Sequence, residues 1–312
     1  MSTTVNKATS TLESADATAD KQPAPAASPP PRAPARIDLP EEPLVTIQPG
    51  RSWSAFDLRE LWAYRELLYF LTWRDLKVRY KQAALGVAWV VMQPLASAVI
   101  FTVFLGRLAR VPSGDLPYPL FVYSGLLLWT FFAGAVSQSG NSLVGSAHLI
   151  TKVYFPRLLI PAAAVGARLV DFAIAFVLLF AMLAYYRVPL GWSALALPVP
   201  VALSALLALA VGAWASALNV KYRDVGVALP VLVQLWMFAS PVVYPSALVP
   251  AEWRRLYALN PLVGIVECFR SALFGLPFDW ASLAVSAAIT LASLVGAAVV
   301  FRRMERGFAD VV

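Results

Sequence analysis

Apolar positions gather in six stretches, at about 85–105, 118–140, 159–185, 195–218, 226–243 and 280–301, separated by polar or proline-containing breaks. A helix needs roughly 20 apolar residues to cross a bilayer core, so the pattern predicts six transmembrane helices within residues 85–312. An even number of crossings leaves both termini on one side. Residues 51–84 follow a different rule: Leu58, Leu61, Trp62, Leu68, Tyr69, Trp73, Leu76 and Tyr80 recur at helical spacing, and Arg59, Glu60, Glu66, Arg74, Lys77 and Lys81 lie opposite them. Ser54 and Asp57 have the spacing of a capping box. Too charged to span, this helix suits a membrane interface with its aromatics at headgroup depth; a soluble helix packed on a partner is the alternative. Between the fifth and sixth stretches, residues 244–279 carry Pro245, Pro250, Pro261 and Pro277 around apolar pieces too short to cross. They read as re-entrant helices whose backbone is satisfied by protein or a water-filled cavity, or else as an ordinary loop. The fold class expected is all-α integral membrane.

Composition agrees with that pattern. Hydrophobic residues make up 59% and charged residues 14% of the 312, with mean hydropathy +0.67, whereas a soluble domain holds about a quarter charged. All 38 aromatics fall after residue 52, and the first fifty residues hold nine of the 24 prolines. Residues 1–50 cannot bury enough apolar surface to offset chain entropy and read as a disordered cytoplasmic tail. No basic segment followed by an apolar run marks a signal peptide there.

Charge gives the orientation. Fourteen Lys and Arg flank the expected spans on the side of the N-terminus, against six on the other side, so the positive-inside bias puts both termini in the cytoplasm. The net charge of +7 suits anionic lipid, and no Lys/Arg run is long enough to track nucleic acid. Cys268 and His148 stand alone in their types, which leaves no cysteine framework, no multi-His metal centre and little room for a Ser/His/Asp triad. A phosphate-binding Gly-x-x-x-x-Gly-Lys-Ser/Thr loop is absent from the sequence, so ATP hydrolysis is not expected in this chain.

Several short motifs follow in order: Leu71–Lys81 (LTWRDLKVRYK), Leu85-Gly86 with Trp89 and Gln93-Pro94, Lys152–Arg157 (KVYFPR), Asn219–Asp224 (NVKYRD), Ser240–Tyr244 (SPVVY) and Leu259-Asn260-Pro261. Over residues 51–312 this resembles the permease subunit of bacterial ABC exporters of lipid-linked polysaccharide, of the O-antigen, capsule and teichoic acid types. The resemblance implies a homodimer in the bacterial inner membrane, six spans per copy, with two separate ATPase subunits on the cytoplasmic side. It also implies no cofactor in this chain, ATP and Mg being held by the partner. Segment 140–157 would then be a coupling helix, with Lys152, Val153, Tyr154, Phe155 and Arg157 at the ATPase and Pro156 setting the turn into the third span. A plain connecting loop is the alternative. Residues 55–81 would make the second ATPase contact.

Arg74, Lys77, Arg79 and Lys81 fall near the inner headgroup plane, where they can meet the pyrophosphate of a polyprenyl carrier or simply anchor to anionic lipid. Arg168 and Asp171, three apart within a span, are spaced to pair on one helix face, and Glu267 and Arg270 repeat the spacing. Sugars present C–H faces that aromatic rings can stack on; Tyr123, Trp129, Phe131, Phe132, Trp236, Phe238 and Tyr244 are candidates to line a path, or else to fill the bundle core. Two other readings remain at this stage. One is an exporter of a small hydrophobic molecule such as a drug or haem. The other is a membrane enzyme acting on lipid-linked sugars, for which the acids Asp115, Glu252 and Asp279 are scattered singly.

Overall fold

A computed structural model of the chain describes residues 62–81, 86–112, 114, 116–150, 152 and 155–305. The tail over 1–50, the start of the expected interface helix, Asp115, Val153 and Tyr154 lie outside the described residues. Every regular element among the described residues is helical. In chain order they are α1 (Arg65–Lys81), α2 (Ala88–Leu108), α3 (Tyr118–Gly145), α4 (Leu159–Tyr185), α5 (Trp192–Lys221), α6 (Asp224–Phe238), α7 (Pro261–Phe274) and α8 (Trp280–Glu305). Single helical turns sit at Ala147–Ile150, Ser246–Leu248 and Arg254–Ala258.

Five of these helices, α2, α3, α4, α5 and α8, are long and apolar enough to cross a membrane. The fifth apolar stretch forms a shorter helix than its sequence suggests. α6 has 15 residues, which at about 1.5 Å per residue gives roughly 22 Å against a hydrocarbon core of about 30 Å. Its end has a local cause: Pro241 lacks an N–H and disfavours helical dihedrals at Ser240, so the helix closes at Phe238.

Local chemistry sets other boundaries. Pro119, Pro198 and Pro261 stand in the first turns of α3, of the regular part of α5 and of α7, where a missing N–H costs nothing. Asn260 caps α7 by accepting from the Leu262 N–H at 3.1 Å, and Gly275 ends it in the left-handed region at φ +68°. Asp279 accepts from the N–H groups of Ala281 and Ser282, opening α8.

α3 runs through the middle of the bundle, packed against α4 and α5, with α2 and α6 along its flank. Small residues allow the close approaches. A Cβ on Gly212 would overlap the side chain of Ser139, and one on Gly140 would overlap Leu229 of α6. α8 covers α5, and α1 lies on α4 with Thr72 against Gly166. At one end of the bundle the Arg157 guanidinium donates to the Glu305 carbonyl (2.8 Å), and Asn219 donates to the Gly140 carbonyl (3.1 Å). At the other end the Tyr118 hydroxyl donates to the Val243 carbonyl (3.1 Å).

Candidate functional site

The most polar interior region lies where the end of α1 meets α3 and α4. Arg79 donates to the carboxylate of Asp171 and to the amide oxygen of Gln138, and the Tyr80 hydroxyl donates to the other carboxylate oxygen. Arg168 donates from Nε to Gln138 Oε1 at 2.9 Å and lies 3.5 Å from Asp171. Burial and the hydrogen bond to Asp171 push the Tyr80 phenol up to about 12, so it stays a proton donor at neutral pH. Two guanidiniums thus share one buried carboxylate. The spacing of Arg168 and Asp171 does bring them together, but their partners Arg79, Tyr80 and Gln138 come from other helices.

This network forms one wall of a cavity of about 530 Å³. Trp89, Gln93 and Pro94 of α2, Trp129, Thr130, Phe131 and Ser137 of α3, and Pro230, Val233 and Gln234 of α6 supply the rest. Guanidinium, amide, hydroxyl and aromatic groups therefore face one space, a lining that tolerates a polar or anionic group inside an apolar bundle. Sequence reasoning did not single out Tyr80, Gln93 or Gln234 for this space, nor Gln138 for the network behind it. The available signal for the three glutamines was a polar side chain interrupting an apolar helix; Tyr80, in the charged α1, carried no such signal.

The other expected cations separate. Arg74 pairs with its neighbour Asp75 at 2.8 Å, and Lys77 and Lys81 are exposed, whereas Arg79 turns inward. In segment 140–157, Lys152 is exposed. Phe155 is buried in a cluster with Leu71, Leu143, Ile150 and Phe301, and the Pro156 carbonyl accepts from the Leu159 N–H. Arg157 is bound to the last turn of α8, through its guanidinium and through its N–H, which donates to Glu305 Oε1 (3.3 Å).

The seven aromatics also divide. Tyr123 and Phe132 are fully enclosed by this one chain, the Tyr123 hydroxyl donating to the Ala175 carbonyl (3.0 Å). Trp129 and Phe131 are nearly buried and touch the cavity. Phe238 is exposed, and Trp236 and Tyr244 help line a second, apolar cleft of about 620 Å³ with Trp253, Tyr257 and Asn260. Glu267 and Arg270, spaced like Arg168 and Asp171, take separate partners: Glu267 accepts from Ser246 and Arg270 donates to backbone carbonyls.

Comparison with known proteins matches residues 66–274 to the sequence profile of the ABC-2 type transporter. The chain is 31% identical to the O-antigen export system permease protein RfbA of Myxococcus xanthus over 262 residues, which covers 81% of this chain and 98% of that protein. It is 27% identical to the RfbA protein of Klebsiella pneumoniae, covering 79% and 95%. To the polysialic acid transport protein KpsM of Escherichia coli it is 24% identical, covering 74% and 91%. With five apolar helices of membrane-crossing length and relatives matched nearly from end to end, this multi-pass membrane protein belongs to the ABC-2 type transporter family.

Proposed function

We propose that the chain is the membrane permease of an ATP-driven exporter that moves polyprenyl-pyrophosphate-linked polysaccharide outward across the bacterial inner membrane. The observation that carries this reading is the near end-to-end similarity to permeases named for O-antigen export and polysialic acid transport. Lys and Arg distribution supports a cytoplasmic Arg157 end and an outer Tyr118 end. In this reading α6, extended by the turn over 239–244, completes a sixth crossing, α1 lies along the inner interface, and 244–279 forms short outer helices that do not cross.

Two copies pair, and two ATPase subunits holding ATP and Mg bind the cytoplasmic face at 140–157, with exposed Lys152 and the neighbouring Val153 and Tyr154 at the contact. Lys77 and Lys81 meet the carrier's pyrophosphate at the headgroup plane, and Arg79 with Arg168 extends that positive potential into the cavity. Sugar rings leave past Trp236, Phe238 and Tyr244. A polar polymer cannot cross hydrocarbon unaided, because each unsatisfied hydroxyl costs several kcal/mol, so a lined path is a physical requirement of the activity.

Deleting the gene tests the reading. Lipid-linked polymer should accumulate on the cytoplasmic side and disappear from the cell surface, with recovery when the full chain is restored. Normal surface polymer in the deletion strain would overturn it.

A further inference from the structure

Where α6 stops, the chain does not hold itself together by helical hydrogen bonds. The Ser240 and Val242 N–H groups make only tight-turn bonds, to the carbonyls of Met237 and Ser240, and the Ser240 hydroxyl donates back to the Trp236 carbonyl (2.9 Å). The Ala239, Pro241 and Val242 carbonyls are taken by side chains of the 260–270 region. Asn260 donates to the Ala239 carbonyl (2.8 Å) and to Ser240 Oγ (2.9 Å). Arg270 donates from Nη1 to the Pro241 carbonyl and from Nη2 to the Val242 carbonyl, both at 2.6 Å, and reaches the Phe121 carbonyl of α3 at 3.4 Å. Seven residues after Asn260 and three before Arg270, Glu267 receives the Ser246 hydroxyl.

Arg270 is 5% exposed, and its guanidinium carbon sits 3.7 Å from the centre of the Phe121 ring. Its Nε is buried with no hydrogen-bond partner, and no carboxylate among the described residues lies within ion-pair distance. A buried charge is costly to desolvate. Here it is held by the dipoles of the backbone it fastens and by an aromatic face. Gly125 belongs to the same fastening: a Cβ there would overlap the Val242 carbonyl and come within 2.6 Å of Arg270 Nη2.

We propose that Arg270 is a positioning residue that fastens the turn over 239–244, and with it the Trp236 and Tyr244 side of the outer cleft, against α3 and α7, so that the outer end of the transport path stays closed at rest. Asn260 on Ala239 and Ser240, Tyr118 on the Val243 carbonyl and the Ser246–Glu267 contact fasten the two ends of the same stretch. The proposal rests on the outward orientation and the path given above, and it adds the element that closes that path. Releasing Arg270 frees the carbonyls of Pro241 and Val242 together, the middle of the turn, and leaves only its ends held, by Asn260, Tyr118 and Glu267.

The test uses the full chain with its ATPase partner in cells that lack a galactoside permease but contain cytoplasmic β-galactosidase, with o-nitrophenyl galactoside as the probe. Entry is scaled to the amount of chain recovered with the ATPase. Arg270→Gln and Gly125→Ala should each admit the galactoside several-fold faster than wild type. Arg270→Lys, which keeps a charged donor for the two carbonyls, should stay near wild type. Gly125→Ala displaces the contact without removing the charge, so the proposal stays testable if Arg270→Gln does not accumulate. Wild-type entry rates in Gly125→Ala, or a leak that Arg270→Lys shares in full, would overturn the proposal. Surface glycan scored in the same cells reports separately on the cargo, because galactoside entry does not depend on which polymer the wild type exports.

Discussion

α2 and α3 are both apolar enough to cross a membrane, with mean hydropathies of 1.9 and 1.7 over 18 residues of each, yet 78% of that stretch of α3 is buried inside the chain and only 11% of that of α2. In lipid, hydrophobicity does not separate an inside helix from an outside one, because hydrocarbon and bundle core are equally apolar. What differs is the small and polar residues. α3 carries Gly125, Gly134, Gly140, Ser124 and Ser139 at positions where neighbours come close, while α2 turns Met92, Val99, Ile100 and Phe104 outward. The central helix is thus marked by its ability to be approached, and by Gln138, which brings two arginines toward it.

The largest expected effect strikes the polar side of that contrast. Asp171→Ala leaves Arg79 and Arg168 facing each other without their shared carboxylate; because the two arginine side chains keep 24% and 34% of their exposure, the loss lies at about 3 kcal/mol, the low end of the range for breaking a fully buried pair. Thermal unfolding in detergent should show a large drop; an unchanged midpoint would mean that water already solvates these groups. Next comes Gly212→Ala, which forces a methyl into Ser139 between α3 and α5. Overpacking at such a site costs about 1–3 kcal/mol, to be read in the same unfolding measurement.

Five of the six expected spans were legible in the sequence because a bilayer fixes their length, while the stretch at 226–243 forms only the 15-residue α6; the pairing of Arg168 with Asp171 was legible because a single helix face sets their distance. The rest of that network was not, since Arg79 and Tyr80 lie about 90 positions from Asp171 and meet it only once α1 lies on α4. Glu267 and Arg270 show the limit of spacing as a guide. The same three-residue interval gives no ion pair when unpaired carbonyls at the end of α6 compete for the guanidinium. In the expected coupling segment, the motif Lys152–Arg157 could be read in the sequence, but the burial of Phe155 depends on Phe301 and Leu71, which are distant in the chain.

A smaller effect is expected at the start of α8. Asp279→Ala removes a cap worth about 1 kcal/mol. Hydrogen bonds from the Ser282 hydroxyl and N–H hold the Asp279 carboxyl below its usual value of 3.8. Its contribution is therefore present above that value and is lost as pH falls through the lower folded one. Wild type and variant should differ by a constant amount between pH 5 and pH 8, and converge only in stronger acid. Smallest of all, Ile100→Ala and Val103→Ala on the outer face of α2 should change the chain's own stability by no more than about 0.5 kcal/mol. A larger loss would show that this face is covered and would narrow the contrast with α3.

Transport itself gives the most direct test. Inverted inner-membrane vesicles containing the chain and the proposed ATPase partner, supplied with lipid-linked polysaccharide on their exposed cytoplasmic face, should enclose the polymer in an ATP-dependent manner, shown by protection from an added glycan hydrolase. Protection should vanish when either protein is left out. Polymer that stays fully accessible with both proteins and ATP present, or that becomes protected without this chain, would contradict its role as the permease.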